Sequence, residues 1–269
     1  MNDTRETEPT ESITRYRVHF VGAGPGDPEL ITVKGQRLLR EADLVIFTGS
    51  LVPRTLLVGL PAEIHDSAGM NLAEVFALIL KSWQDGKRVV RLHTGDPSIY
   101  GAINEQISLL RSHAIPFCVV PGVSSGTASA AVLGTELTLP EVSQTVIFTR
   151  RAGRTPVPTG ESLSSLATHQ ATMMIFLSVG MIDEVVADLC AGGYPTDTPV
   201  AIIEKVSWPD EKQLRGTLAT IATQVKEAKI TKTAIIAVGR VLADGPPPAL
   251  SKLYDSAFSH GFRQGTDGQ

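Results

Sequence analysis

The chain is short of several things, and each shortage closes off a class of protein. Its 269 residues hold only two cysteines, Cys118 and Cys190, far apart in sequence. Neither belongs to a spacing that would hold a metal, so no metal site and no disulfide framework is expected. Cys118 lies in the apolar run Phe117-Cys118-Val119-Val120 and reads as a buried structural thiol, which suits a reducing cytoplasm. Basic residues are not in excess: 24 Lys and Arg stand against 28 Asp and Glu, a net charge of −4. That balance argues against a nucleic-acid partner. No run approaches ~18 uninterrupted apolar residues, so no membrane span is expected. The first fourteen residues are polar, lack the apolar centre of a signal peptide and read as a flexible tail. Neither a Ser-His-Asp order nor a phosphate-loop pattern occurs. Aromatics make up 5% of the chain, so its core is aliphatic.

What is present is an alternation. Val18 to Gly22 reads as a buried strand running into the turn Ala23-Gly24-Pro25-Gly26-Asp27-Pro28. A helix is predicted from Leu30 to Arg40, with Leu30, Val33, Leu38 and Leu39 as its apolar positions, then a strand from Ala42 to Phe47. Ala62 to His65 is a candidate short strand. Asn71 and Glu74 form a capping box ahead of an amphipathic helix that Gly86 closes. Lys87 to Leu92 is a strand, Ser98 to His113 a helix, Phe117 to Val120 a strand, and a small-residue helix runs on through Leu133. Such alternation predicts an α/β domain on a mostly parallel sheet, assigned to residues 15–137. Residues 138–242 form a second α/β domain, whose sheet is mixed because Trp208-Pro209-Asp210-Glu211 reads as a hairpin. Residues 243–269, opening on Pro246-Pro247-Pro248, read as a partly disordered tail.

The first turn is not a dinucleotide fingerprint. The third glycine of that motif would stand where Asp27 is, and the next strand ends in Thr48-Gly49-Ser50 with no ribose-binding carboxylate. Pro25 and Pro28 also remove two amide donors that could meet a phosphate. A nicotinamide-dependent oxidoreductase is therefore the weaker alternative. Ligands of open parallel sheets bind beyond the carboxyl ends of the strands. Three unusual turns are expected there, Gly22 to Asp27, Thr94 to Pro97 and Pro121 to Ser125. A fourth, Leu177 to Gly180, belongs to the second domain, and one cleft between the domains is expected to gather them. Asp96 is read as the cap of the helix beginning at Ser98 and as a group that could orient a ligand. His93 reads as a satisfied strand-end histidine. Arg54, Arg150, Arg151, Arg154 and Lys205 could meet a substrate with several carboxylates, since arginine binds carboxylate through a planar fork.

These turns, in this order, resemble the tetrapyrrole methylase family of S-adenosylmethionine-dependent enzymes. The likeness runs from Tyr16 to Val241. It is carried by Val21-Gly22-Ala23-Gly24-Pro25-Gly26-Asp27-Pro28, by Gly95-Asp96-Pro97 with Tyr100-Gly101, and by Pro121-Gly122-Val123-Ser124-Ser125. Within the family it is similar to the branch serving cobalamin biosynthesis, through Thr48-Gly49-Ser50-Leu51-Val52, Val90 to Pro97, Gly153 to Pro158 and Trp208 to Lys212. The resemblance implies S-adenosylmethionine as methyl donor, a tetrapyrrole substrate, a cytoplasmic homodimer, and no membrane or nucleic-acid partner. It implies a donor site of Pro25, Gly95, Asp96, Pro97, Ile99, Ser124 and Ser125, joined by Leu177, Val206 and Ala234 on strand-end position. Arg54, Arg154 and Lys205 are the expected partners of the substrate's carboxylates, and Asp27 and Glu105 the candidate proton acceptors. A non-catalytic tetrapyrrole carrier and a sister methylase acting on another ring carbon are the remaining alternatives.

Overall fold

The computed structural model describes residues 16–246 and 251–266. The flexible-tail reading of residues 1–14 and part of the C-terminal tail lie outside the described residues. Contacts divide the chain into two units, Met1–Ser124 and Ser125–Gln269.

The first unit is a five-stranded, wholly parallel sheet. Its strands are β1 (Val18–Gly22), β2 (Leu44–Phe47), β3 (Glu63–Asp66), β4 (Val89–His93) and β5 (Phe117–Val120), in the order β3-β2-β4-β1-β5. Helix α1 (Val33–Glu41) covers one face, where Leu38 and Leu39 pack with Val21, Val45, Val90 and Leu92. Helices α2 (Leu72–Gln84) and α3 (Asn104–Ser112) cover the other, packing Ile79, Ile107 and Leu110 on Phe20, Ile46 and Val89. Burial on both faces is why β1, β2 and β4 read as nearly unbroken apolar runs. The capping box forms as expected: Asn71 Oδ1 accepts from Glu74 N and Glu74 Oε2 from Asn71 N.

The second unit holds α4 (Ser125–Leu133), β6 (Val146–Arg150), α5 (Leu163–Ala167), β7 (Thr172–Phe176), α6 (Ile182–Ala191), β8 (Pro199–Glu204), β9 (Lys212–Thr217), α7 (Ile221–Glu227) and β10 (Ala234–Val238). The strand order is β6-β7-β10-β8-β9. Only β6 and β7 run parallel; the β8–β9 hairpin and the pairings of β10 are antiparallel, so the sheet is mixed. One face buries Met173, Ile175, Val200, Ile202 and Ile236 under α5, α6 and α7.

The structure differs from the sequence reading in four places. The first helix begins at Val33, because Thr32 Oγ1 accepts from Gly35 N and Pro28–Leu30 form a separate 3-10 turn. Val33 itself points outward, 87% exposed, and is no part of the core. The helix expected from Ser98 begins at Asn104, because Tyr100 and Ala102 adopt left-handed backbone at φ 55° and 49°. The boundary expected at residue 137 falls at Ser124, because α4 packs on the second sheet. A Cβ on Gly126 would stand 2.9 Å from Phe148 Cζ and 3.0 Å from Phe176 Cζ. Among the described residues no helix is long and apolar enough to cross a membrane.

Candidate active site

In the first unit, chain leaves β1 toward α1 on one face of the sheet and leaves β4 toward α3 on the other. Adjacent strands that diverge in this way open a crevice at their carboxyl ends, the usual ligand position in such sheets. The turns there are joined backbone to backbone. Ala23 N donates to His93 O at 2.7 Å, and Gly24 and Gly95 exchange hydrogen bonds at 3.3 and 2.8 Å. The turn after β5 is pressed into the same place: a Cβ on Gly122 would lie 2.1 Å from Gly95 O, and one on Gly22 only 2.6 Å from Gly122 Cα. No side chain fits between these turns, which is the physical reason for glycine at both positions.

Asp96 joins two of the turns. Its Oδ1 accepts from Ser98 N at 2.7 Å and its Oδ2 from Gly122 N at 3.0 Å. It therefore caps no helix, contrary to the sequence reading; α3 starts eight residues later. Pro25, Gly95, Pro97 and Ser124 are buried in this assembly, and Ile99 is half-buried. Asp27 Oδ1 accepts from Glu29 N at 2.8 Å and so caps the turn that follows it. Glu105 is exposed in the first turn of α3.

Beneath these turns, β4 carries two buried basic side chains on the face covered by α3. Arg91 is 5% exposed and His93 2%. Burial lowers Arg91 to about 10. Burial, and then the neighbouring Arg91 charge, push His93 down to about 3, so its imidazole is neutral at any physiological pH. His93 Nε2 and Thr94 Oγ1 are buried without a hydrogen-bond partner among the described residues, so His93 is not the satisfied histidine that the sequence suggested.

The second unit gathers left-handed residues at one end of its sheet. Leu177 follows β7 at φ 55°, Lys205 and Ser207 follow β8 at 50° and 64°, and Thr233 precedes β10 at 56°. Lys205 N donates to Thr233 O at 2.9 Å, which ties two of these segments together. Such backbone costs roughly 1–2 kcal/mol per non-glycine residue and is concentrated at functional sites. Leu177 also exposes 71% of its surface, an unusual position for leucine. Val206, just past β8, and Ala234, the first residue of β10, are buried and contribute to the core.

The expected substrate cations separate into two kinds. Arg54 lies 3.6 Å from Asp66 and 5.2 Å over the Phe47 ring, and Lys205 is paired with Asp210. Arg150 donates to Thr155 O and Pro156 O, and Arg151 to Asp188, so both hold their own loop in shape. Arg154 is exposed and makes no side-chain hydrogen bond or ion pair with the described residues. Sequence reasoning missed the left-handed cluster and the Asp96–Gly122 link. Backbone sign has no residue signature outside glycine, and the link joins segments twenty-six residues apart.

Residues 17–222 match the family of Tetrapyrrole (Corrin/Porphyrin) Methylases. The chain is a tetrapyrrole methylase. This methylase is 56% identical to a cobalt-precorrin-4 C(11)-methyltransferase of Methanocaldococcus jannaschii, over 92% of this chain and 96% of that protein. It is 49% identical to a precorrin-4 C(11)-methyltransferase of Pseudomonas aeruginosa, over 92% and 99% of the two chains. A solved structure of a cobalamin biosynthetic enzyme, cobalt precorrin-4 methyltransferase, superposes with a TM-score of 0.83 at 44% identity, covering 85% of this chain and 96% of the other. The uroporphyrin-III C-methyltransferase of Thermus thermophilus, solved with S-adenosyl homocysteine, reaches a TM-score of 0.71 at 31% identity, over 84% and 99%. Membership of a methylase family sets aside the oxidoreductase alternative.

Proposed function

We propose that this methylase transfers the methyl group of S-adenosylmethionine to ring carbon 11 of precorrin-4, giving precorrin-5 in corrin biosynthesis. The observation that carries the reading is identity along nearly the whole chain to two C(11)-methyltransferases. One of those relatives is named for the cobalt-bearing substrate and the other for the metal-free one, so cobalt-precorrin-4 is the second reading.

The glycine-lined turns suit a donor bound through backbone groups. Pro25, Gly95, Pro97, Ile99, Ser124 and Ser125 are assigned to donor contact, with Leu177, Val206 and Ala234 from the second unit. Asp96 is assigned to the same site, with its two oxygens spent on holding the turns at 2.7 and 3.0 Å. The sulfonium methyl is already activated. The sulfur–carbon bond breaks as the new carbon–carbon bond forms, S-adenosylhomocysteine departs, and a proton leaves the macrocycle. Such a reaction needs alignment and dryness more than acid–base power; orientation alone can supply about 7–11 kcal/mol. Asp27 and Glu105 are assigned as proton acceptors, and Arg154, Arg54 and Lys205 to the substrate's carboxylates, Arg154 first because its charge is unpaired among the described residues. Assembly as a cytoplasmic homodimer is part of this proposal, supported by the family resemblance, and sedimentation of the purified protein tests the dimer.

The deciding experiment incubates the protein anaerobically with S-adenosylmethionine and enzymatically made precorrin-4, with and without cobalt. Mass spectrometry and NMR follow the product. One methyl gained at carbon 11 supports the reading, and the preferred substrate decides about cobalt. A methyl gained at another carbon replaces it with a sister reaction.

A further inference from the structure

Arg91 poses a problem that the transfer reaction does not explain. It sits in the middle of a central strand, 5% exposed, and its hydrogen-bond partners are neutral. Nη1 donates to Ile46 O at 3.0 Å and Nε to Gln106 Oε1 at 3.1 Å. A buried cation without a carboxylate costs several kcal/mol, so an apolar residue would make a more stable strand.

The Gln106 partnership shows what the charge does there. Gln106, 7% exposed on α3, receives Arg91 on its carbonyl oxygen and donates its amide nitrogen to Ala102 O at 3.2 Å. A side-chain amide can face either way, but guanidinium has only donors. Arg91 therefore admits a single orientation of Gln106, the one that presents N–H to Ala102. Ala102 is the left-handed residue, φ 49°, that closes the turn between Asp96 and α3. At the other end of that turn Ser98 N is held by Asp96, and a Cβ on Gly101 would come 2.1 Å from Pro97 O. The segment is clamped at both ends, by Asp96 from the sheet's edge and by Gln106 from below.

We propose that Arg91 and Gln106 are positioning residues for the methyl donor: Arg91 orients the Gln106 amide, and Gln106 holds the Ile99–Ala102 turn in its left-handed, donor-binding form. The proposal rests on the assignment of that turn to the donor site. It makes the buried charge a device for loop geometry at the expense of strand stability.

Gln106→Glu separates the two roles. A carboxylate gives Arg91 an ionic partner and keeps the fold, but turns an acceptor toward Ala102 O. Gln106→Met removes both hydrogen bonds at similar volume. Titration calorimetry with S-adenosylhomocysteine and thermal melting are read on wild type and both variants. The expected result is a Kd at least tenfold weaker in Gln106→Glu, with a Tm no lower than wild type, and a comparable loss of affinity in Gln106→Met with a lower Tm. If Gln106→Glu fails to fold, Gln106→Met alone decides. A folded variant that binds within twofold of wild type overturns the proposal. Wild type that fails to bind the nucleoside overturns the donor assignment itself, and the proposal with it.

Discussion

The Asp96 carboxylate accepts the Gly122 amide at 3.0 Å and thereby fastens the turn after β4 to the turn after β5. Its other oxygen holds Ser98 N at 2.7 Å. Asp96→Asn keeps one acceptor oxygen and places an amide NH2, a donor, against the other N–H. Hydrogen bonds to charged groups contribute about 1.5–3 kcal/mol, so a loss of about 1–2 kcal/mol in denaturant unfolding is expected. Donor affinity should fall with it; unchanged affinity would remove Asp96 from the site.

The close approach of the turns makes a sharper steric forecast. Gly122→Ala places a methyl 2.1 Å from Gly95 O and 2.8 Å from Gly22 Cα, so backbone must move. Overpacking of this kind costs about 1–3 kcal/mol, and donor binding should be lost beyond it. Gly69→Ala, which meets nothing within 4 Å, is the matched control and should leave Tm and affinity unchanged.

His93 supplies a pH signature. Its folded pKa, about 3, lies below the ordinary histidine value of 6.5, so below pH 6.5 the unfolded chain binds the proton that the folded chain refuses. The neutral imidazole's contribution is complete above pH 6.5 and is lost as pH falls toward 3. His19, lowered by burial and then by Lys34, Arg17 and Arg37, adds a loss of the same sign. Urea unfolding from pH 7 to 4.5 should show stability falling by a few kcal/mol, and His93→Phe should flatten most of that slope.

Charge reversal sorts the three substrate cations. Arg154→Glu should raise the tetrapyrrole KM by about tenfold while the donor Kd stays constant, because that guanidinium is free to fork a carboxylate. Arg54→Glu and Lys205→Glu should act more weakly, since Asp66 and Asp210 already engage those charges. Equal KM changes in all three would show that the existing pairs open on binding.

Leu177 couples strain to exposure. Replacement by glycine relieves the left-handed backbone and should raise stability by up to about 1 kcal/mol. It also removes an apolar surface that is 71% exposed, so donor affinity should weaken as stability rises. Thermal melts and calorimetry on the same preparation check both signs.

Much of the architecture was readable in advance because its signals are local. Short, nearly unbroken apolar runs mark β1, β2 and β4, Asn71 and Glu74 announce α2, and the Pro-Asp turn after Trp208 announces the antiparallel β8–β9 pair. The start of α3 was misread for an equally local reason. Ser98 after Asp96-Pro97 looks like a helix start, yet Tyr100 and Ala102 turn left-handed and delay the helix to Asn104. The position of α4 was hidden because its small residues show no preferred face; only Phe148 and Phe176, packed on Gly126, assign it to the second sheet.

The amino-acid sequence by itself determined which segments are strands, which turns carry glycine and proline in an unusual order, and hence the family. Those are properties of residue type and spacing along the chain. Tertiary structure alone decided that Asp96 and Gly122 are bonded, that Arg91 faces Gln106, that Arg54 and Lys205 are paired, and that Leu177 and Ala102 are left-handed. The long-range pairs among these depend on which segments become neighbours, and such a hydrogen bond is set by a partner that sequence spacing does not name.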